Sequence, residues 1–191
     1  MARATVSVRF ISLEEVPPDF SIEVTRATNT QNRIERRDFV SLDPEQERLR
    51  TELVLDGIDY VYKSGDKTPQ PDVGLDLSEA TVALACSSPD VPFSVQAKRE
   101  IGKLWEDISR APYRALFNPS VTGRRMWSLV KLLRAIEQQL AIERASMTGR
   151  DAMFAIHGNR FITYQVFKRL PLSRIGLPGT KMEELDRQAR Q

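Results

Sequence analysis

SVTGRRMWSLVKLLRAIEQQLAIERAS, residues 120–146, is the stretch that decides the class of the fold. Trp127, Val130, Leu133, Ile136 and Leu140 recur at intervals of three and four, so they share one side of a helix. Arg124, Arg125, Lys131 and Arg134 fall on the other, polar side. A helix of this length needs other helices to cover its apolar stripe. Outward from it the pattern stays helical. Residues 94–107 read as a helix ending near Trp105, and residues 79–87 as an alanine-rich one holding Cys86. Tyr113 to Phe117 reads as a single turn. Residues 151–170 carry Phe154, Phe161, Ile162, Tyr164, Val166 and Phe167, too many apolar groups for a narrow stripe, so one helix buried on most sides is predicted there. The end from Lys181 to Gln191 reads as a polar, short or frayed helix.

Towards the N-terminus the period changes. Residues 4–12 alternate, with Val6, Val8 and Phe10 on one side, and predict a half-buried strand. A short helix with Phe20, Val24 and Ala27 follows Asp19, then the polar run Thr28-Asn29-Thr30-Gln31-Asn32, then a helical piece over 33–40. Asp43-Pro44 is a helix start: Asp43 caps, Pro44 sits where its missing N–H costs nothing, and Gln46 stands at capping-box spacing. Leu42, Leu49 and Leu53 make the apolar stripe of that helix and Gly57 ends it. Residues 59–63 read as a strand, and 64–76 as a polar Pro/Gly loop. The expected fold is α+β, mainly helical, with two or three short strands near the N-terminus.

The bulk numbers exclude several functions. A chain of 191 residues, 41% hydrophobic and 28% charged, is long enough to bury a core and unlike a disordered one. No apolar run approaches the roughly 20 residues that cross a bilayer, and MARATVSVRF has no secretory h-region, so a soluble, cytoplasmic protein without membrane partners is expected. One cysteine, Cys86, forbids an internal disulfide; one histidine, His157, forbids a His-pair zinc site. No cofactor is expected. The net charge of +2 conceals a division: residues 1–95 hold 10 Lys+Arg against 17 Asp+Glu, and residues 96–191 hold 18 against 9. The basic half either attracts the acidic half or faces a polyanion such as nucleic acid.

Motifs for chemistry are sparse. No GxxxxGK[ST] or GxGxxG cradles a phosphate. Asp59 and Lys63 flank a strand without the acid-x-Lys spacing of a metal-dependent nuclease, and Glu100 with Lys103 is mis-spaced, so surface charge is the better reading of both. Cys86 reads as a small buried hydrophobe, and His157 as a histidine at a helix kink bonded to backbone. Asn29, Gln31 and Asn32 serve as caps and turn formers, or display amides able to read nucleotides.

Read as one block, residues 22–34 (IEVTRATNTQNRI), Arg37-Asp38-Phe39, and Asp43-Pro44-Glu45-Gln46-Glu47-Arg48-Leu49 resemble the signature of the abortive-infection phage-resistance (AIPR) family. Tyr60-Val61-Tyr62-Lys63, the alanine-rich helix and the Tyr113–Asn118 block fit the same pattern more loosely. The resemblance implies a bacterial protein of phage defence. It also implies a single family domain over residues 1–175 with a polar tail over 176–191, and a chain that begins after an upstream region found in longer members. On that footing three roles compete. The chain is a non-catalytic recognition or scaffold domain for nucleic acid or a partner protein, with Arg124, Arg125, Lys131 and Arg134 as its cationic contacts. Alternatively it is part of a metal-dependent nuclease or nucleotide-processing enzyme completed by the upstream region, with Asn29, Gln31, Asn32 and Asp38 in the pocket. The plainest alternative is a docking domain for that upstream region, able to form a homodimer through the strand over 4–12.

Overall fold

The computed structural model describes residues 36–67, 69–177 and 180–191, and singly Pro17, Phe20 and Val24. Contacts divide the chain between residues 35 and 36, and the larger unit runs from Arg36 to Gln191. The expected strand over 4–12 lies outside the described residues.

This larger unit is mainly helical α+β. Its helices are α1 (Arg36–Val40), α2 (Pro44–Leu55), α3 (Leu77–Ser87), α4 (Val91–Arg99), α5 (Tyr113–Leu116), α6 (Gly123–Arg144), α7 (Gly149–His157), α8 (Asn159–Arg169) and α9 (Met182–Ala189). Short 3-10 turns occupy Ile101–Trp105 and Leu172–Arg174. Strands β1 (Asp59–Val61) and β2 (Gly74–Asp76) pair in parallel, with Tyr60 opposite Leu75. β2 lies inside the stretch expected to be loop. Three residues carry too little alternation to be read, yet Gly74 and Leu75 are buried and the pairing is made by backbone.

Helix α3 is the centre. It packs against α4, α6 and α8, and Leu77 together with every residue from Ala80 to Cys86 is buried. A helix apolar on all sides belongs inside, and its alanines let three neighbours approach. Its start is a true capping box: Asp76 Oδ1 accepts from the Glu79 N–H at 2.8 Å, and Glu79 Oε2 accepts from the Asp76 N–H at 3.3 Å. The helix therefore begins ahead of Glu79, at Leu77.

Three expectations are corrected. The region 151–170 is two helices, not one, broken at Gly158, where a Cβ would fall 2.8 Å from the Phe154 carbonyl oxygen. Nor is it buried on most sides, since Met153, Phe154, Ile156 and Phe161 are exposed. Residues 94–107 likewise form α4 from Val91 to Arg99 and then a 3-10 turn, because the chain leaves helical geometry at Glu100 (φ −162°, ψ 86°). Leu42 is exposed ahead of α2 rather than on its stripe, which Leu49 and Leu53 make with Gln46.

Gln46 does not complete a capping box either. Fully buried, it joins a chain of side chains: the Tyr113 hydroxyl donates to Asp43 Oδ2 (2.6 Å), Gln46 Nε2 donates to the Tyr113 oxygen (2.8 Å), and the Tyr60 hydroxyl donates to Gln46 Oε1 (2.5 Å). Each buried polar atom finds its partner in another, which ties α2, β1 and α5 together. Burial pushes both tyrosine hydroxyls well above their ordinary range.

α6 starts at Gly123 because Thr122 accepts from the Arg125 N–H (3.2 Å) and Glu52 accepts from the Gly123 N–H (2.7 Å). A Cβ on Gly123 would come within 3.0 Å of Leu53 Cγ, so glycine lets α6 meet α2 end-on. Of the stripe, Val130, Leu133 and Ile136 are buried with Met126 and Leu129, while Trp127 and Leu140 are half-buried at its borders. The tail returns to this helix. α9 packs on α6 with Leu185 and Ala189 buried.

Candidate functional site

Asn29, Gln31 and Asn32 lie outside the described residues. Asp38 sits on α1, where its Oδ1 accepts from the Ser64 hydroxyl at 2.5 Å and its carbonyl accepts from the Ser41 hydroxyl at 2.6 Å. The neighbouring Arg37 donates to the carbonyls of Tyr62 (3.3 Å) and Val61 (3.4 Å). Together they fasten α1 to the chain leaving β1. Among the described residues, no group of three or more His, Cys, Asp or Glu is arranged to hold a metal ion.

The four cations of α6 are treated unequally. Arg124 forms a two-toothed pair with Asp56 (Nε–Oδ2 3.2 Å, Nη2–Oδ1 2.9 Å), which lowers the Asp56 carboxyl. Arg125 turns inward and donates to the Leu172 carbonyl at 2.7 Å, holding the segment that follows α8. Gly176 makes that approach possible: its φ is +83°, and a Cβ would come within 2.7 Å of Arg125 Cα. Arg134 clasps both Glu79 oxygens (2.8 and 2.7 Å) and donates to the carbonyls of Gly74 (2.8 Å) and Pro71. It thus joins α6 to the sheet and to the capping box of α3. Lys131 is exposed, and no hydrogen bond or ion pair engages its ammonium among the described residues.

What gathers three of these residues is Trp127. Its indole is half-buried, with Lys131 Nζ 5.6 Å and Arg134 Cζ 5.3 Å from the ring. Trp127, Arg124 and Lys131 line one cleft of about 360 Å³, together with Asp56, Ile58, Ser128, Leu177, Thr180 and Met182. The cleft has an aromatic and aliphatic lining, one unengaged ammonium, and an acid–guanidinium pair. It can accept a flat apolar body that carries an anionic group. Trp105, the other tryptophan, is buried and donates to Thr81 Oγ1 at 2.9 Å. In the sequence Trp127 reads as the first member of a core stripe. The signal for its second role is the i, i+4 and i, i+7 placement of Lys131 and Arg134 beside it.

Cys86 is buried as expected. Its thiol contacts the Arg160 carbonyl at 3.5 Å, and burial pushes it up to about 12, out of the range of reactive thiolates. His157 does stand at a break, at the end of α7, but its ring is exposed and makes no hydrogen bond to backbone among the described residues.

A mainly helical α+β unit built on a buried alanine-rich helix, with a tryptophan cleft on its longest helix, is the class of protein that this fold and cleft define. The chain belongs to the AIPR protein family, whose model matches residues 1–175. Membership places it among proteins of abortive infection and phage defence. No curated protein and no solved structure matches the chain. No helix among the described residues is long and apolar enough to cross a membrane.

Proposed function

We propose that this chain is a non-catalytic recognition domain of phage defence, and that what it recognises is nucleic acid. One observation carries the reading: a half-exposed indole flanked by cations, lining a cleft into which an unengaged lysine reaches. Aromatic faces beside positive charge are how proteins hold nucleic acid without reading its sequence. The contact set is narrower than the basic second half suggests. Arg124, Arg125 and Arg134 are committed to internal partners, so Lys131 and the indole are the groups able to meet a ligand first. Cytoplasmic action accords with such a target. The experiment is a filter-binding titration of the full chain against labelled single- and double-stranded DNA and RNA at rising salt. Binding that weakens with log-linear slope is expected. Absence of binding to all four at low salt removes the reading.

A partner protein is the second reading, favoured by the apolar groups Met153, Phe154, Ile156 and Phe161 standing in solvent on α7 and α8. Under it, Phe154→Asp abolishes phage protection in a plaque assay while nucleic-acid binding is retained. Protection at the level of the parent chain would dismiss it.

A further inference from the structure

The cleft beside Trp127, of about 360 Å³, presents an aromatic face and a cation together. We infer that one base of a free nucleotide or of a single strand stacks on Trp127, with its phosphate taken by Lys131. This deepens the proposed recognition of nucleic acid, on which it rests, by naming the form of the ligand.

Two cations already cover the indole, and they differ in how firmly they are held. Arg134 is fixed against the ring by Glu79 and by the Gly74 carbonyl, so it stays in place. Lys131 is held near the ring by the ring alone, with no acid or carbonyl among the described residues engaging it. A cation over an indole at an exposed site contributes less than a base stacked on the same face. A base therefore displaces the ammonium from the ring. The displaced lysine keeps its charge and its four-carbon reach, and the base brings a phosphate with it. Ile58, Leu177 and Met182 supply the apolar contact for the far edge of the base.

Asp56 gives the site its second property. Its carboxylate repels phosphate and occupies the Arg124 guanidinium, so in the resting protein Arg124 is withheld from the ligand. Removing that charge releases a second cation into the same cleft. Asp56 inside the cleft, with Glu183 and Asp186 lining the adjoining pocket beside Lys131, limits the site to one phosphate. A duplex, whose bases are stacked on each other, offers the indole no face except at its ends.

Tryptophan fluorescence tests this directly, because Trp105 is buried and a stacked base quenches Trp127. The full chain is titrated with adenosine monophosphate, ribose 5-phosphate, an oligo-deoxyadenosine strand and a long blunt-ended duplex. Quenching by the first and third is expected. Preference for the strand over the mononucleotide makes nucleic acid the ligand, and equal affinity makes the free nucleotide sufficient. Trp127→Leu, read by titration calorimetry because it removes the reporting indole, should weaken binding on the order of tenfold and Trp127→Phe by less. Lys131→Gln, an exposed change that leaves the fold intact, should weaken binding severalfold, and Asp56→Asn should tighten it. Ribose 5-phosphate binding as well as adenosine monophosphate would overturn the inference in favour of a bare anion site. Equal binding of duplex and strand, indifferent to Trp127 and Lys131, would overturn it too while leaving nucleic-acid recognition standing. No binding of any probe would end both.

Discussion

In α3, Leu77 and the run from Ala80 to Cys86 are buried; in α7, where Ala152 to Ile156 are all apolar, Ala155 alone is. Phe154 and Met153 of α7 are 56% and 55% exposed. The difference lies in the neighbours. α3 is flanked by α4, α6 and α8, whereas α7 packs chiefly on α6 and α8 and is set off from α8 by the break at Gly158. Apolar composition makes a helix fit for a core, but the number of elements that reach it decides whether it becomes one. A segment rich in such side chains and short of neighbours is surplus to folding.

The contrast between the two helices is most exposed to failure at Leu77. Leu77→Ala should lower the free energy of unfolding by about 2–5 kcal/mol in urea denaturation, because a fully buried leucine leaves a hole that rigid neighbours do not fill. A loss below ~1 kcal/mol would mean that α3 is not the centre. Tyr113→Phe is next, at about 1–3 kcal/mol, since it strands Asp43 Oδ2 and Gln46 Nε2 without their hydroxyl. Phe154→Ser on α7 should change stability by less than ~0.5 kcal/mol, read in the same assay. A cost equal to that of Leu77→Ala would erase the distinction.

The smallest effect concerns the exposed face of α2. Glu47 accepts from Arg50 (2.6 Å) and from the Tyr62 hydroxyl (2.6 Å), and these bonds, Arg50 first, lower its carboxyl from 4.5 to about 2. A carboxyl more acidic in the folded chain stabilises it above pH 4.5, and that stabilisation fades as pH falls from 4.5 through about 2. Glu47→Gln should therefore flatten the acid limb of a plot of urea midpoint against pH. An unchanged slope between about pH 5 and about pH 3 would show that solvent screens the pair completely.

Local signals were legible where one or two residues act on their own backbone. Asp43-Pro44 announces α2 and Gly57 its end, and the three-and-four spacing from Trp127 announces α6, because caps, missing donors and periodicity need no knowledge of the rest of the chain. Strand β2 was not legible: Gly74-Leu75-Asp76 is a strand by virtue of β1 alone. The role of Gln46 was hidden for the same reason, since its partners Tyr60 and Tyr113 are 14 and 67 residues away. At the cleft, residue types were visible and allegiances were not. Arg124 and Arg134 look free in a sequence; Asp56 and Glu79, brought up by folding, claim them. The family signature carried what neither spacing nor charge could, the biological setting.

The stitches that run from α2 and its cap to α5 and the start of α6 have an outcome for handling the protein. Arg48 to the Val121 carbonyl, Glu52 to the Gly123 N–H and Tyr113 to Asp43 each span about seventy positions and bridge over the exposed residues 63–67. A protease that nicks the chain there severs one peptide bond and none of those clasps. The two pieces should stay married, eluting together from a sizing column and parting only in detergent, which would make this the natural seam for a split-protein reporter.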